Sequence, residues 1–237
     1  LGAYCQVRMC RETGGMFLML PTPEARVFRR DLTKFEFEAM RPYLPDLRSR
    51  EDYAHERDYS PLRALIWKVI NDLNPYKPEI ARYINLKQAF SPDPGRRASE
   101  IDTELNKAKT YIEYLNAAEK ALREAARNRD REKSPRWRAH YDLILAQLVA
   151  YRARVYEYGI YLQAFKTQPK PFDPPTPTRV LDYWDVRERG KTLGAEKTQP
   201  DIDEATRLFQ LVIKEYPGTP WATRAAYELS RGWGISL

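Results

Sequence analysis

Histidine and cysteine are scarce in this chain, with two of each among 237 residues. Cys5 and Cys10 lie five apart on a segment that reads as helical, so they point to different faces and are poorly placed to bridge. No Cys-x-x-Cys is present. A zinc site would have to gather nearly all of Cys5, Cys10, His55 and His140 from distant places. Neither a metal site nor a cofactor is expected, and two cysteines fix no compartment. Glycine is thin as well, 10 residues in all, which argues against a sheet-rich fold full of tight turns and favours long helices. No run approaches the roughly 18 apolar residues of a membrane-spanning helix. Charge is not one-sided either. The 40 Lys+Arg and 33 Asp+Glu leave +7, mildly basic without the charge blocks of a nucleic-acid tail.

Catalytic motifs fail on inspection. Gly190-Lys191-Thr192 mimics the end of a P-loop, but Asp185 stands where that motif needs a glycine, and a carboxylate there repels phosphate. His55-Glu56 opens like a zincin helix, yet Tyr59 occupies the place of the second histidine. No Gly-x-Ser-x-Gly elbow occurs. Carboxylates such as Asp102 and Glu104 read as solvated partners of nearby basic residues. No enzymatic activity is expected.

What is present is helical periodicity. Ser60-Pro61 supplies an N-cap and a preset first helical residue, followed by a stripe of Leu62, Leu65, Ile66, Val69, Ile70 and Leu73. Ser99 is the expected cap of a longer helix, in which Ile101, Leu105, Ala108, Ile112, Leu115 and Leu122 alternate four- and three-residue steps. Ser134-Pro135 restarts the chain. Trp137, Tyr141, Ile144, Leu148, Tyr151, Val155, Tyr158, Leu162 and Phe165 then keep the same rhythm, with His140 on the flank. Two such stripes joined by a short polar loop predict an antiparallel, two-stranded coiled-coil hairpin. Five prolines between Pro169 and Pro177 predict an extended connector, beyond which Trp184 and Val186 form a short strand or anchor. Asp201 with Glu204 caps the next helix, with Ile202, Ala205, Leu208, Phe209, Val212 and Ile213 on its stripe. Thr219-Pro220 caps the last, carrying Trp221, Ala222, Ala225, Ala226 and Leu229. The fold class expected is mainly α.

Two stretches carry family resemblances. Ala205 to Pro217, with Phe209 and Val212 between, resembles the second helix of a tetratricopeptide repeat. Its continuation through Trp221 and Leu229 looks like the linked helix pair of bacterial repeat proteins that bind other proteins. The first-helix Trp-Leu-Gly-Tyr signature is absent upstream, so a complete peptide-binding groove is not implied. Arg11 to Leu20, through Thr13-Gly14-Gly15 and the apolar run Met16–Leu20, resembles the last helix-to-strand step of a von Willebrand factor A-type domain. That family's Asp-x-Ser-x-Ser metal motif does not occur here, so the resemblance gives this segment no metal site. A buried strand without partners, and a start at Leu1, point to a fragment.

The resulting division is a von Willebrand A-like remnant at 1–20, short helices and linkers at 21–95, the hairpin at 96–168, a Pro-rich connector at 169–200 and the repeat-like pair at 201–237. The function expected is a non-enzymatic interaction or scaffolding segment of a larger bacterial protein of the von Willebrand A type, binding protein partners. The alternative is nucleic-acid or anionic-surface binding at the basic hairpin tip, with Arg127, Arg129, Arg131 and Lys133 as candidate polyanion contacts.

Overall fold

The computed structural model describes Met9 and residues 37–43, 49–168 and 184–236. The helix, glycine turn and strand expected at 1–20 lie outside the described residues apart from Met9, as do residues 169–183 of the connector. The described chain is mainly α-helical, with four short strands.

The chain opens with α1 (Phe37–Met40) and a 3-10 turn at Arg41–Tyr43, then α2 (Arg50–Tyr59) and α3 (Pro61–Asp72). Ser60 caps α3 as its sequence indicates, with Oγ accepting from the Arg63 amide and Pro61 at the first helical position. Leu62, Ile66 and Val69 are buried, while Ile70 at the edge of the stripe is exposed. After α4 (Pro78–Ile84), strand β1 (Ala89–Phe90) leads into α5 (Pro94–Glu124). This helix begins earlier than expected. Asp93, not Ser99, is its cap, accepting from the Arg96 amide at 2.7 Å, and Pro94 follows at the first helical position. Ser99 lies inside the helix, exposed. Replacing Asp93 by alanine is expected to cost about 1 kcal/mol, or about 2–4 °C in Tm for a chain of this size. Ser99→Ala, lacking a cap to lose, is expected to shift the melting curve by less than about 1 °C.

The short helix α6 (Ala126–Arg131) makes the tip, and α7 (Pro135–Thr167) returns. Residues of α7 meet α5 in reverse order. The Tyr141 hydroxyl donates to the Leu122 carbonyl at 2.7 Å, and Lys166 pairs with Asp102 at 2.5 Å. Along this seam Trp137, Tyr141, Ile144, Leu148, Val155, Tyr158, Leu162 and Phe165 are buried against Ile101, Ala108, Leu115 and Leu122. Leu62, Ile66 and Val69 of α3 close the same cluster. Each leucine removed from water here contributes about 1.5–3 kcal/mol.

A two-stranded seam would leave the opposite side of α7 in solvent. Instead that side is buried. Ala139, Leu143, Ala146, Val149 and Ala150 pack on Ala205, Phe209 and Val212 from α8 (Ala195–Glu215) and on its C-cap Tyr216, with Trp221 and Ala225 from α9 (Pro220–Ser230). The small side chains let α8 approach closely, so α7 becomes the central helix. Gly218, at φ +72°, supplies the left-handed residue in the turn from α8 to α9. Two antiparallel strand pairs close the base: β1 with β2 (Trp184–Asp185), and β3 (Arg187–Arg189) with β4 (Gly234–Ser236). Val186, buried between β2 and β3, donates its amide to the Gln88 carbonyl at 2.8 Å.

Candidate interaction site

The start of α8 is fixed by a side chain from elsewhere. The helix begins at Ala195 and runs through Pro200, so Asp201 is not its cap. The fully buried carboxylate of Glu157 on α7 accepts from the Leu193 amide at 2.7 Å, the Gly194 amide at 3.0 Å and the Thr198 hydroxyl at 2.6 Å. This carboxylate satisfies amides at a helix N-terminus, where negative charge is favoured. A Cβ at Gly194 would lie 2.2 Å from Ile160 Cδ1, so a larger residue there would have to turn the end of that side chain aside. Asp201 is used one turn further along, holding Arg152 through two bonds of 2.7 and 2.6 Å. Arg152 also pairs with Glu119 of α5, and Arg123 bridges Glu119 and Glu204. The latch joins α5, α7 and α8.

Helix α9 is held by a buried ion pair. Arg154 donates to the Glu228 carboxylate at 2.6 Å, to the Glu228 carbonyl at 2.7 Å and to the Gly232 carbonyl at 3.2 Å, and it lies 5.1 Å from the Trp233 ring centroid. Burial raises the Glu228 carboxyl, but Arg154, Arg224 and Arg231 outweigh it, and the net shift is downward. Glu104, expected as a solvated surface carboxylate, is buried instead. It accepts from the Lys87 amide at 2.7 Å and pairs with Lys107.

His140 is also more than a flank residue. Its ring lies 5.2 Å from Trp221 at 86° and 5.9 Å from Trp137. Trp221 Nε1–H donates to His140 Nδ1 at 3.3 Å, and indole has no other polar role, so His140 is neutral with its proton on Nε2. Burial, helped by Arg136, pushes its pKa down to about 4.

The four basic residues singled out at the tip divide. Arg129 turns inward, donating to both Asp142 carboxylate oxygens at 3.1 and 2.6 Å and to the Tyr216 hydroxyl at 3.3 Å. It is half-buried and already neutralised, so it leaves the candidate contact set. Arg127, Arg131 and Lys133 are exposed, and none has a carboxylate within ion-pair distance among the described residues.

An open groove of about 800 Å³ runs between α5 and α7, away from α3. Leu105, Ala108, Ile112, Val155, Gly159 and Ile160 form its apolar floor and walls; Lys109, Glu113 and Lys197 stand among its polar lining residues. The lining spans Leu105 to Asn116 on α5, about 17 Å or three helical turns. Gly159 keeps the floor low, because a Cβ there would first meet Leu105 only at 4.0 Å. The groove escaped the sequence reading because Leu105 and Ile112 were assigned to the hairpin seam, where they remain only half-buried. Gly159, one step from the Tyr158 seam position, was its one visible signal.

Among the described residues, no three His, Cys, Asp or Glu side chains gather as a metal site, and no helix is long and apolar enough to cross a membrane. Comparison with protein-family models, with curated proteins and with solved structures returns no match.

Proposed function

We propose that this chain is a non-enzymatic interaction and scaffolding segment that presents the α5–α7 hairpin to a helical protein partner. The groove between those helices carries this reading. Its length suits about three turns of an amphipathic helix, laid down as the third strand of a coiled coil whose first two strands are α5 and α7. The latches described above keep the central helix rigid from both sides, so little ordering cost falls on the receptor. Residues 201–237 are read as a tetratricopeptide-like pair on the spacing of Ala205, Phe209, Val212 and Pro217. Here that pair braces the hairpin by packing Phe209, Val212 and Trp221 on the small-residue face of α7. Membership of a larger von Willebrand A-type protein rests on the resemblance at Arg11–Leu20.

The reading is tested with a displayed library of amphipathic helical peptides, selected against the full chain. Binders are expected to lose at least tenfold in affinity against Gly159→Leu, which fills the floor, and against Ala164→Glu, which sets a carboxylate at the groove's end. Circular dichroism checks that both variants keep their helix content. Binders indifferent to both substitutions would place recognition elsewhere and overturn the assignment.

A further inference from the structure

We propose that the hairpin tip is a second binding site, one that takes the phosphate backbone of duplex nucleic acid through Arg127, Arg131 and Lys133. The argument starts from how the tip spends its charges. Two of its acids are committed: Glu132 to Arg63 through bonds of 2.9 and 2.8 Å, and Asp142 to Arg129 through bonds of 3.1 and 2.6 Å, while Asp130 stays exposed at 3.4 Å from Arg129. The Arg63 guanidinium holds the Glu132 carboxyl below the usual range, so that pair stays formed at neutral pH. What remains outward is a surface of three cations, Arg127, Arg131 and Lys133, against two exposed carboxylates, Glu124 and Asp130.

Those pairs also make the surface stiff. Arg63 on α3 clamps one side of the tip, and Arg129 folds the other onto Asp142 and Tyr216. Arg127 and Arg131 stand one turn apart on the same face of α6, about 6 Å between their Cβ atoms, a spacing similar to that of successive phosphates along a strand. Guanidinium forks match phosphate oxygens in a way ammonium groups do not. The composition of residues 126–134, Ala-Arg-Asn-Arg-Asp-Arg-Glu-Lys-Ser, holds no aromatic for stacking unpaired bases and no large apolar side chain for entering a bilayer. Duplex backbone is the polyanion that fits, and recognition is independent of sequence.

Three phosphate contacts set the expected numbers. The slope of log Kobs against log salt is about −3, and binding weakens roughly 40-fold between about 50 and 200 mM salt. The measurement is fluorescence anisotropy of the full chain with a labelled DNA duplex of about 20 base pairs. Arg127→Glu with Arg131→Glu is expected to remove binding at the lowest salt and flatten the slope; both side chains are exposed and neither has an ion-pair partner among the described residues, so the fold is kept. Arg82→Glu with Lys191→Glu changes net charge equally outside the tip and is expected to cost less than threefold. Equal losses in the two variants, absence of salt-dependent duplex binding, or binding to phosphatidylserine vesicles without binding to the duplex would each overturn the proposal.

Discussion

Replacing Arg154 by alanine is expected to destabilise the protein by about 3 kcal/mol or more, lowering Tm by roughly 10 °C. The reason is the partner left behind. Glu228 is fully buried, and Arg154, itself with only 7% of its side chain exposed, is the one cation approaching it from α7. Removing that cation strands a carboxylate in the interior and frees the carbonyls of Glu228 and Gly232 as well. Arg224 at 2.6 Å and Arg231 at 3.3 Å remain on the carboxylate, which keeps the loss near the lower end of the range for broken buried pairs. The converse substitution separates charge from packing. Arg154→Met combined with Glu228→Leu removes both ions and is expected to be less destabilised than Arg154→Ala, because the stranded carboxylate is gone and only the freed carbonyls and the released Arg224 and Arg231 remain as losses. Denaturant unfolding of the singles and the double gives the coupling energy directly. A single-mutant loss below about 1 kcal/mol would mean that Glu228 reaches water in solution.

The mainly α fold and the long helices of the hairpin were legible because large apolar and aromatic residues mark their seam every three or four positions. The second seam of α7 follows the same rhythm at Ala139, Leu143, Ala146, Ala150 and Ala153, and continues to Glu157. It passed unnoticed because alanine reads as a helix former before it reads as a contact. Thr198, Ile202, Ala205, Phe209 and Val212 on α8, with its C-cap Tyr216, repeat the steps, so the two stripes together held the information that α7 is central. The start of α8 was hidden for a different reason. Local rules place a helix boundary at Pro200-Asp201, whereas the groups that satisfy its first amides come from Glu157, some forty residues earlier in the chain. Long-range pairing also decided the tip. Nothing in the spacing of Arg127, Arg129, Arg131 and Lys133 distinguishes the arginine that Asp142 and Tyr216 capture from those that stay free.

Acid is expected to weaken the protein through His140 before it reaches the paired carboxylates. In the unfolded chain an imidazole titrates near 6.5, whereas in the fold its pKa is about 4. The neutral form is favoured in the native state, so this contribution is fully present above about pH 6.5. As pH falls below 6.5 the unfolded state takes up a proton that the folded state refuses, and stability drops until about pH 4, by about 3 kcal/mol in all. Protonation of Nδ1 also replaces the acceptor of Trp221 Nε1–H with a second donor, so the unfavourable change falls on the face joining α7 to α9. Arg136, one turn away on α7, adds like-charge repulsion. The carboxylates whose pKa is lowered, Glu228 and Glu132 among them, titrate below their ordinary range and leave the window from pH 6.5 to 4.5 to the histidine. Urea midpoints followed by tryptophan fluorescence are expected to fall steadily across that window in the parent protein. In His140→Gln, which keeps an acceptor for the indole without a titrating ring, they are expected to stay flat until the carboxylates begin to protonate. Parallel curves for the two proteins would show that water reaches the ring, and would place the acid sensitivity in the ion pairs alone.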